Sequence, residues 1–525
     1  MILAGLSLED PETLLADYSR AGIRAFIFPG CLLDDPERLS GLTALARRLV
    51  AEAGSFHCVA ALGGWAHAAT SYPNPPDLPS PLAIAAAGDR RLAKRTGFLL
   101  ASKAAACGID LVFGPRLDLA SDPKSSSGVI DCFGDQPGRV ALLGQHFAAG
   151  MEAGGVAACA LSFPGCGNLV FDGRVGPRTL ASMRDRLEAA EILPFAKFAK
   201  AGLPALLVAQ AFVPALEPGR IPAARSALVI EGKLRSSLGF RGLVIGEACD
   251  GFNEGQYNGI KPDYGRLALS GALAGCDLGA CLRPSTAFEA AGALEAAAAE
   301  GILPAPRVAI AMKRVAALGD ALGVSLPAAR RSGGARQGPV SPADLVASHA
   351  RQAAERSATF FRGAPSGRPG PADFVLLFLP PPSVPESGAF PPTAARKLLS
   401  EEFGKASIVL ASDEPTDAEI ARLMESFAAA SGAEGAKGGA AIVFSYDAHL
   451  SPKQESLIHL VEESFRQVTV IALHDPYDAA FFPRSQALGA VYGYSEAGLR
   501  AAVLMATGRI EARGICPVSV LGLEL

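Results

Sequence analysis

A chain of 525 residues exceeds what one ordinary hydrophobic core accommodates, so two or more domains are expected. Half the residues are hydrophobic and 19% are charged, yet no apolar run approaches the roughly 20 residues of a membrane span. A net charge of −4 and the lack of any basic block argue against nucleic acid as the main partner. Met1-Ile2-Leu3, followed by Glu9 and Asp10, forms neither a basic leader nor a signal-like apolar stretch, which predicts a cytoplasmic protein. The 10 cysteines are scattered without a Cys-x-x-Cys pair. Several sit in apolar runs such as Val156-Ala157-Ala158-Cys159, the pattern of buried reduced thiols. The 7 histidines show no metal-ligand spacing, so neither a metal nor another cofactor is expected.

Short apolar strands alternate with amphipathic helices over the first three fifths of the chain. Residues 23–28 predict a strand, 36–51 a helix, 56–62 a strand and, after a Pro-rich loop, 89–106 a helix. A strand at 109–113 and a helix at 137–153 follow. Further strands at 156–162, 205–208 and 243–245 enclose helices at 180–201 and 224–238. Fully apolar strands alternating with helices predict a parallel sheet covered on its outer face, and the length suits a closed (β/α)₈ TIM-type barrel. Its active site would lie at the carboxyl ends of the strands.

Residues 324–342, rich in Pro, Gly, Ser and Arg, read as a linker between a barrel at 1–323 and a second domain at 343–525. The second domain carries strands at 374–379, 407–411, 441–444 and 468–473, with helices at 417–430, 452–465 and 495–506. That alternation predicts a smaller doubly wound α/β sandwich. It contains no Gly-rich phosphate-binding string, so a nucleotide is not expected there.

The most informative string is Leu161-Ser162-Phe163-Pro164-Gly165-Cys166-Gly167-Asn168, with its Phe-Pro-Gly-x-Gly skeleton. Gly114-Pro115-Arg116-Leu117-Asp118-Leu119 precedes it, as does Cys132-Phe133-Gly134-Asp135-Gln136-Pro137. Leu238-Gly239-Phe240-Arg241-Gly242 leads into a later strand. Tyr446-Asp447-Ala448-His449, His474-Asp475-Pro476-Tyr477-Asp478, Tyr492-Gly493-Tyr494 and Gly514-Ile515-Cys516-Pro517-Val518 follow in the second domain. In order and spacing these strings resemble glycoside hydrolase family 3, in particular its bacterial β-N-acetylhexosaminidases. The resemblance covers most of the chain. It implies a barrel followed by an α/β domain, a carbohydrate or glycoside ligand, and retaining hydrolysis of O-glycosyl bonds.

The same resemblance assigns roles position by position. Glu247, in Gly246-Glu247-Ala248-Cys249, takes the place of the family's nucleophilic Asp. Retaining enzymes hold two carboxyls about 5–5.5 Å apart, and the extra methylene of Glu shifts one of them. Asp172-Gly173-Arg174 matches the loop whose His, paired with an Asp, serves as acid/base. Arg174 stands in the place of that His, and an Arg, with a pKa above about 12, keeps its proton. At the sugar-gripping positions the family's Asp becomes Ala60, its Arg becomes Asp131, and its Lys-His becomes Leu161-Ser162. Its loop His becomes Cys166, and its Ser-His becomes Ala209-Gln210.

Candidate ligand contacts are therefore Trp65, Asp118, Asp131, Ser162, Cys166, Asn168 and Gln210. For Trp65, sugar stacking and loop packing both stand. Asp118 reads as a structural hydrogen-bonding group. Glu247 reads either as a nucleophile or as a solvated or ion-paired carboxylate, with Arg174 and Arg116 as candidate partners, and Asp250 and Glu254 as replacement acids. Two functions follow: a catalytically degenerate homologue serving as a carbohydrate-binding or regulatory scaffold, or an active β-glycosidase with Glu247 as nucleophile and an atypical acid.

Overall fold

The structure, a computed structural model, describes residues 1–52, 59–63, 78–123, 128–167, 169, 178–248, 250, 262–321, 343–363, 374–381, 390–431 and 438–520. The chain forms two compact units. One comprises Met1–Pro75, Ala93–Ser127 and Gln136–Ser341, the other Pro76–Leu92, Gly128–Asp135 and Pro342–Leu525. The proposed linker at 324–342 lies outside the described residues.

Eight parallel strands close the first unit into a barrel: β1 (Ile2–Gly5), β2 (Ala25–Pro29), β3 (Val59–Gly63), β4 (Leu111–Arg116), β5 (Ala157–Phe163), β6 (Ala205–Val208), β7 (Leu243–Gly246) and β8 (Leu278–Cys281). The ring shuts where Leu3 of β1 registers with Ala280 of β8. Burial on both faces explains the uninterrupted apolar strands, and β4, β5, β6 and β7 are buried along their whole length. Six of the eight strands are legible as apolar runs. β1 and β8 are not; the Leu-Gly-Ala-Cys of β8 lacks β-branched and aromatic side chains.

Two outer helices, Arg90–Ala106 and Pro137–Ala153, approach so closely that side chains are excluded between them. A Cβ on Gly97 would collide with the Phe147 carbonyl, and one on Gly150 with the Lys94 carbonyl. The region expected as one helix at 180–201 is instead Arg184–Arg186, a π turn at Leu187–Glu191 and a helix at Leu193–Lys200. The buried Glu191 accepts hydrogen bonds from Ser182 Oγ (3.0 Å) and Arg186 Nε (3.1 Å) at that turn.

At the amino end of β8 the fully buried Asp277 gathers three cations. Its Oδ2 accepts from Arg235 Nη2 and Val244 N, both at 2.9 Å. Its Oδ1 accepts from Arg314 Nη1 at 2.9 Å and Arg307 Nη2 at 3.2 Å. One carboxylate thus ties β7, β8 and two helical segments together.

In the second unit six strands form one sheet in the order β11-β10-β12-β13-β14-β9, with β9 (Thr359–Arg362), β10 (Phe374–Leu379), β11 (Ser407–Ser412), β12 (Gly438–Ser445), β13 (Phe465–Ala472) and β14 (Ala487–Ala490). All neighbours are parallel except β14 and β9. Phe374 anchors the core against Phe427 (ring centroids 4.8 Å apart) and Phe465 (5.5 Å). Two excursions from the barrel half of the chain are built into this unit. Ser80 Oγ donates to Tyr492 O at 2.6 Å, Ile515 N to Ala86 O at 3.0 Å, and Ser519 N to Asp135 Oδ2 at 2.7 Å.

At the carboxyl ends of β12 and β13 lies a buried titratable cluster. Asp478 accepts from Ser445 Oγ (2.7 Å) and His449 N (2.9 Å) and pairs with His449 Nδ1 (2.8 Å). His474 Nδ1 pairs with Asp447 Oδ1 at 2.9 Å. Burial opposes the charged form of His449, but the hydrogen bond and charge of Asp478 outweigh it and raise the imidazole to about 9. Burial pushes the Asp475 carboxyl up to about 7.

Two predictions follow from these carboxylates. Asp277→Ala takes the shared carboxylate from the buried Arg235 and the partly buried Arg307 and Arg314, and is expected to lower stability by about 3–5 kcal/mol in urea unfolding. Asp475 and His449 both hold their protons more tightly folded than unfolded. Stability is therefore expected to fall as pH rises from 3.8 through about 7 for Asp475, and from 6.5 through about 9 for His449. Calorimetry of the full chain at mildly acidic and alkaline pH checks this, and His449→Gln should flatten the alkaline part of the slope.

Candidate functional site at the barrel mouth

Glu247 follows the last residue of β7, and its backbone N–H continues the ladder to Val208 O at 2.8 Å. This places the carboxylate at the carboxyl end of the barrel, where (β/α)₈ proteins build their sites. Both oxygens are engaged. Arg178 Nη1 lies 3.2 Å from Oε1 and 3.2 Å from Oε2, and Gln210 N donates to Oε2 at 2.8 Å. Gln210 Nε2 also donates to the Glu247 carbonyl at 3.1 Å. The Glu247 and Arg178 side chains are only 10% and 12% exposed, so the pair is largely desolvated. Burial works against the Arg178 charge, but Glu247 outweighs it and holds the guanidinium above its ordinary range.

Arg178 is fixed at the backbone too. Its carbonyl accepts from Phe212 N, and Leu180 N donates to Phe212 O, both at 2.8 Å. These bonds zip residues 178–180 in parallel onto the segment that continues β6, with Thr179 bridged to Phe212. Gln210 and Phe212, two residues apart on that segment, thus hold the carboxylate and its cation respectively.

A second carboxylate organises the Phe-Pro-Gly-x-Gly loop. Asp118, completely buried, accepts from Cys166 N at 2.7 Å and Ser162 N at 3.2 Å through Oδ1, and from Arg116 Nη1 at 3.1 Å through Oδ2. The loop glycines are set by close packing. A Cβ on Gly167 would fall inside the Leu119 carbonyl, and Gly165 at φ +118° sits against Glu191. Cys166 is buried below this loop; burial, aided by the charge of Asp118, pushes its thiol well above the usual range.

The structure therefore brings Glu247, Gln210, Asp118, Ser162 and Cys166 into one unit, and adds Arg178. Glu247 is ion-paired, but with Arg178; Arg116, expected as a partner, pairs with Asp118 instead. Nothing in Pro177-Arg178-Thr179 marks this residue, since the pairing is made by tertiary folding. Asp250 is committed elsewhere. It accepts from Leu282 N (2.8 Å), Arg283 N (2.8 Å) and Thr286 Oγ1 at the start of helix Pro284–Ala299. Asp131 lies on a short turn in the second unit. Trp65, Asn168, Asp172, Arg174, Cys249 and Glu254 lie outside the described residues. A cavity of about 20 Å³ whose lining includes Met1, Ile2, Gln210, Glu247, Cys276 and Cys281 has room for a water molecule. Among the described residues no acidic, His or Cys group is arranged to hold a metal, and no helix is long and apolar enough to cross a membrane.

The model of the glycosyl hydrolase family 3 N terminal domain matches residues 18–318, which hold β2 to β8 and the strand ends just described. The chain belongs to glycosyl hydrolase family 3. A beta-hexosaminidase of Alkalilimnicola ehrlichii is 34% identical over 209 residues, 38% of this chain and 58% of that protein. One of Thioalkalivibrio sulfidiphilus is 34% identical over 213 residues, 39% of this chain and 57% of that protein. The match thus spans less than two thirds of these relatives. A family 3 beta-N-acetylglucosaminidase from Paenibacillus sp. str. FPU-7 superposes with a TM-score of 0.85 at 25% identity, covering 100% of this chain and 98% of that one. A beta-glucosidase from Listeria innocua, at 17% identity and a TM-score of 0.75 over 99% of this chain and 73% of that one, shares the fold alone. Barrel and second α/β domain are therefore the architecture of this family 3 chain.

Cys166 is expected to resist iodoacetamide at mildly alkaline pH in the native protein. Asp118→Ala, which frees the loop, should speed its modification by about tenfold or more, read by peptide mass spectrometry.

Proposed function

We propose that this family 3 chain is a catalytically degenerate homologue that binds carbohydrate as a scaffold and does not hydrolyse it. The observation that carries this reading is the occupation of both Glu247 oxygens by Arg178 and the Gln210 N–H. A retaining nucleophile must bring a carboxylate oxygen to the anomeric carbon while a second carboxyl about 5–5.5 Å away handles the proton. Each described carboxylate with a claim to that second role is satisfied by other donors, Asp118 by a loop and Asp250 by a helix start. At the acid/base position of the family stands Arg174, which does not release its proton at neutral pH.

Ligand binding is supported from the other side of the same group. Gln210 Oε1 is buried without a hydrogen-bond partner among the described residues, a defect of about 1–3 kcal/mol until a donor reaches it. A hydroxyl or amide N–H of a sugar supplies such a donor. The names of the relatives, hexosaminidases and an N-acetylglucosaminidase, make β-linked N-acetylhexosamine the ligand class to examine first. The second reading, an active retaining β-glycosidase with Glu247 as nucleophile, draws on the placement of that carboxylate at the end of β7.

A panel of chromogenic aryl β-glycosides, N-acetyl-β-glucosaminides included, tests the choice on wild type and Glu247→Gln. The expected outcome is no turnover by either protein, with calorimetric binding of at least one N-acetylhexosamine oligomer. Wild-type turnover that disappears in Glu247→Gln would establish the glycosidase instead.

A further inference from the structure

Arg178 belongs to no position that the family resemblance marks, yet it makes the decisive contact at the barrel mouth. Its guanidinium faces both oxygens of Glu247 from 3.2 Å. Its carbonyl accepts from Phe212 N, and Leu180 N donates to Phe212 O, both at 2.8 Å, so it is carried by the segment that continues β6. Gln210, on the same segment as Phe212, also donates its N–H to Oε2 at 2.8 Å. A carboxylate held by a charge-assisted bond and a backbone N–H has little electron density to offer an electrophile. A neutral sugar offers Glu247 no charge in place of the guanidinium, so displacing Arg178 from this largely desolvated pair is costly.

We propose that Arg178 is a built-in latch on the nucleophile position: it occupies Glu247 intramolecularly and thereby suppresses glycosyl transfer to it. The inference rests on the reading of the site as non-hydrolytic and identifies the residue that keeps it so. With the latch removed, the geometry of β7 leaves Glu247 a competent carboxylate. One oxygen then attacks the anomeric carbon of an activated aryl glycoside, the bond from that carbon to the aryl oxygen breaks, and the aryl group departs with the electron pair as phenolate. A dinitrophenolate leaves without a proton, so the Arg at the acid position is no obstacle. The glycosyl group remains on Glu247 as an ester.

The experiment uses the full chain with a fluorinated dinitrophenyl β-glucoside and dinitrophenyl N-acetyl-β-glucosaminide, reading phenolate release and intact mass. Arg178→Gln and Arg178→Met, which remove the charge but keep much of the side-chain volume, are compared with Arg178→Lys, which keeps a cation. Near-ultraviolet circular dichroism confirms that each variant is folded. Release of phenolate, with the glycosyl adduct on the Glu247 peptide, is expected to rise about 10- to 100-fold in the Gln or Met variant. The Lys variant should stay near wild type, and adding Glu247→Gln to the active variant should abolish the gain. Folded Gln and Met variants that stay as inert as wild type towards both donors would overturn the latch while leaving the scaffold reading intact. Wild type reacting as fast as these variants would overturn the latch, and Glu247-dependent turnover by wild type would remove the scaffold reading with it.

Discussion

Taking a carboxylate out of water costs several kcal/mol unless other donors replace its hydration. That constraint arranges this molecule. Asp277 collects three guanidiniums and a backbone N–H at the amino end of β8. Asp118 collects two loop N–H groups and Arg116, and Asp478 collects a hydroxyl, a backbone N–H and an imidazole. Glu247 obeys the same rule with Arg178 and Gln210, and it does so at the carboxyl end of β7. The chemistry of the barrel mouth is thus a special case of the solvation problem that the fold solves throughout.

The fold was legible where burial leaves a one-dimensional trace. Continuous apolar runs such as Val156-Ala157-Ala158-Cys159 mark strands covered on both faces, and these locate most of the barrel and the central strands of the second sheet. The trace fails for Ile2–Gly5 and Leu278–Cys281, although their pairing closes the ring. It fails also for Thr359–Arg362 and Ala487–Ala490 at the far end of the second sheet. Helical periodicity located residues 180–201 but could not show the π turn at Leu187–Glu191.

At the site, sequence strings identified the loop and strand-end residues that converge, because those residues sit beside glycines and prolines of fixed spacing. Arg178 was invisible for the complementary reason. Its partner is 69 residues away, and only the zipping of residues 178–180 onto Phe212 brings the two together. The string around Phe133-Gly134-Asp135 shows the same limit in another form. It precedes the barrel's fifth strand in the chain, yet Asp135 accepts from Ser519 in the second unit. Order along a chain does not reveal which body a segment joins.

The glycines of the Phe-Pro-Gly-x-Gly loop have a wider meaning. Gly167 is pressed against the Leu119 carbonyl and Gly165 against Glu191, so any larger residue there would deform the barrel itself. A stable shell therefore requires the glycines of this frame whatever chemistry the residues between them perform. A signature of this kind records ancestry faithfully and occupation poorly. Within such a lineage, trades can change without disturbing the pattern by which membership is recognised.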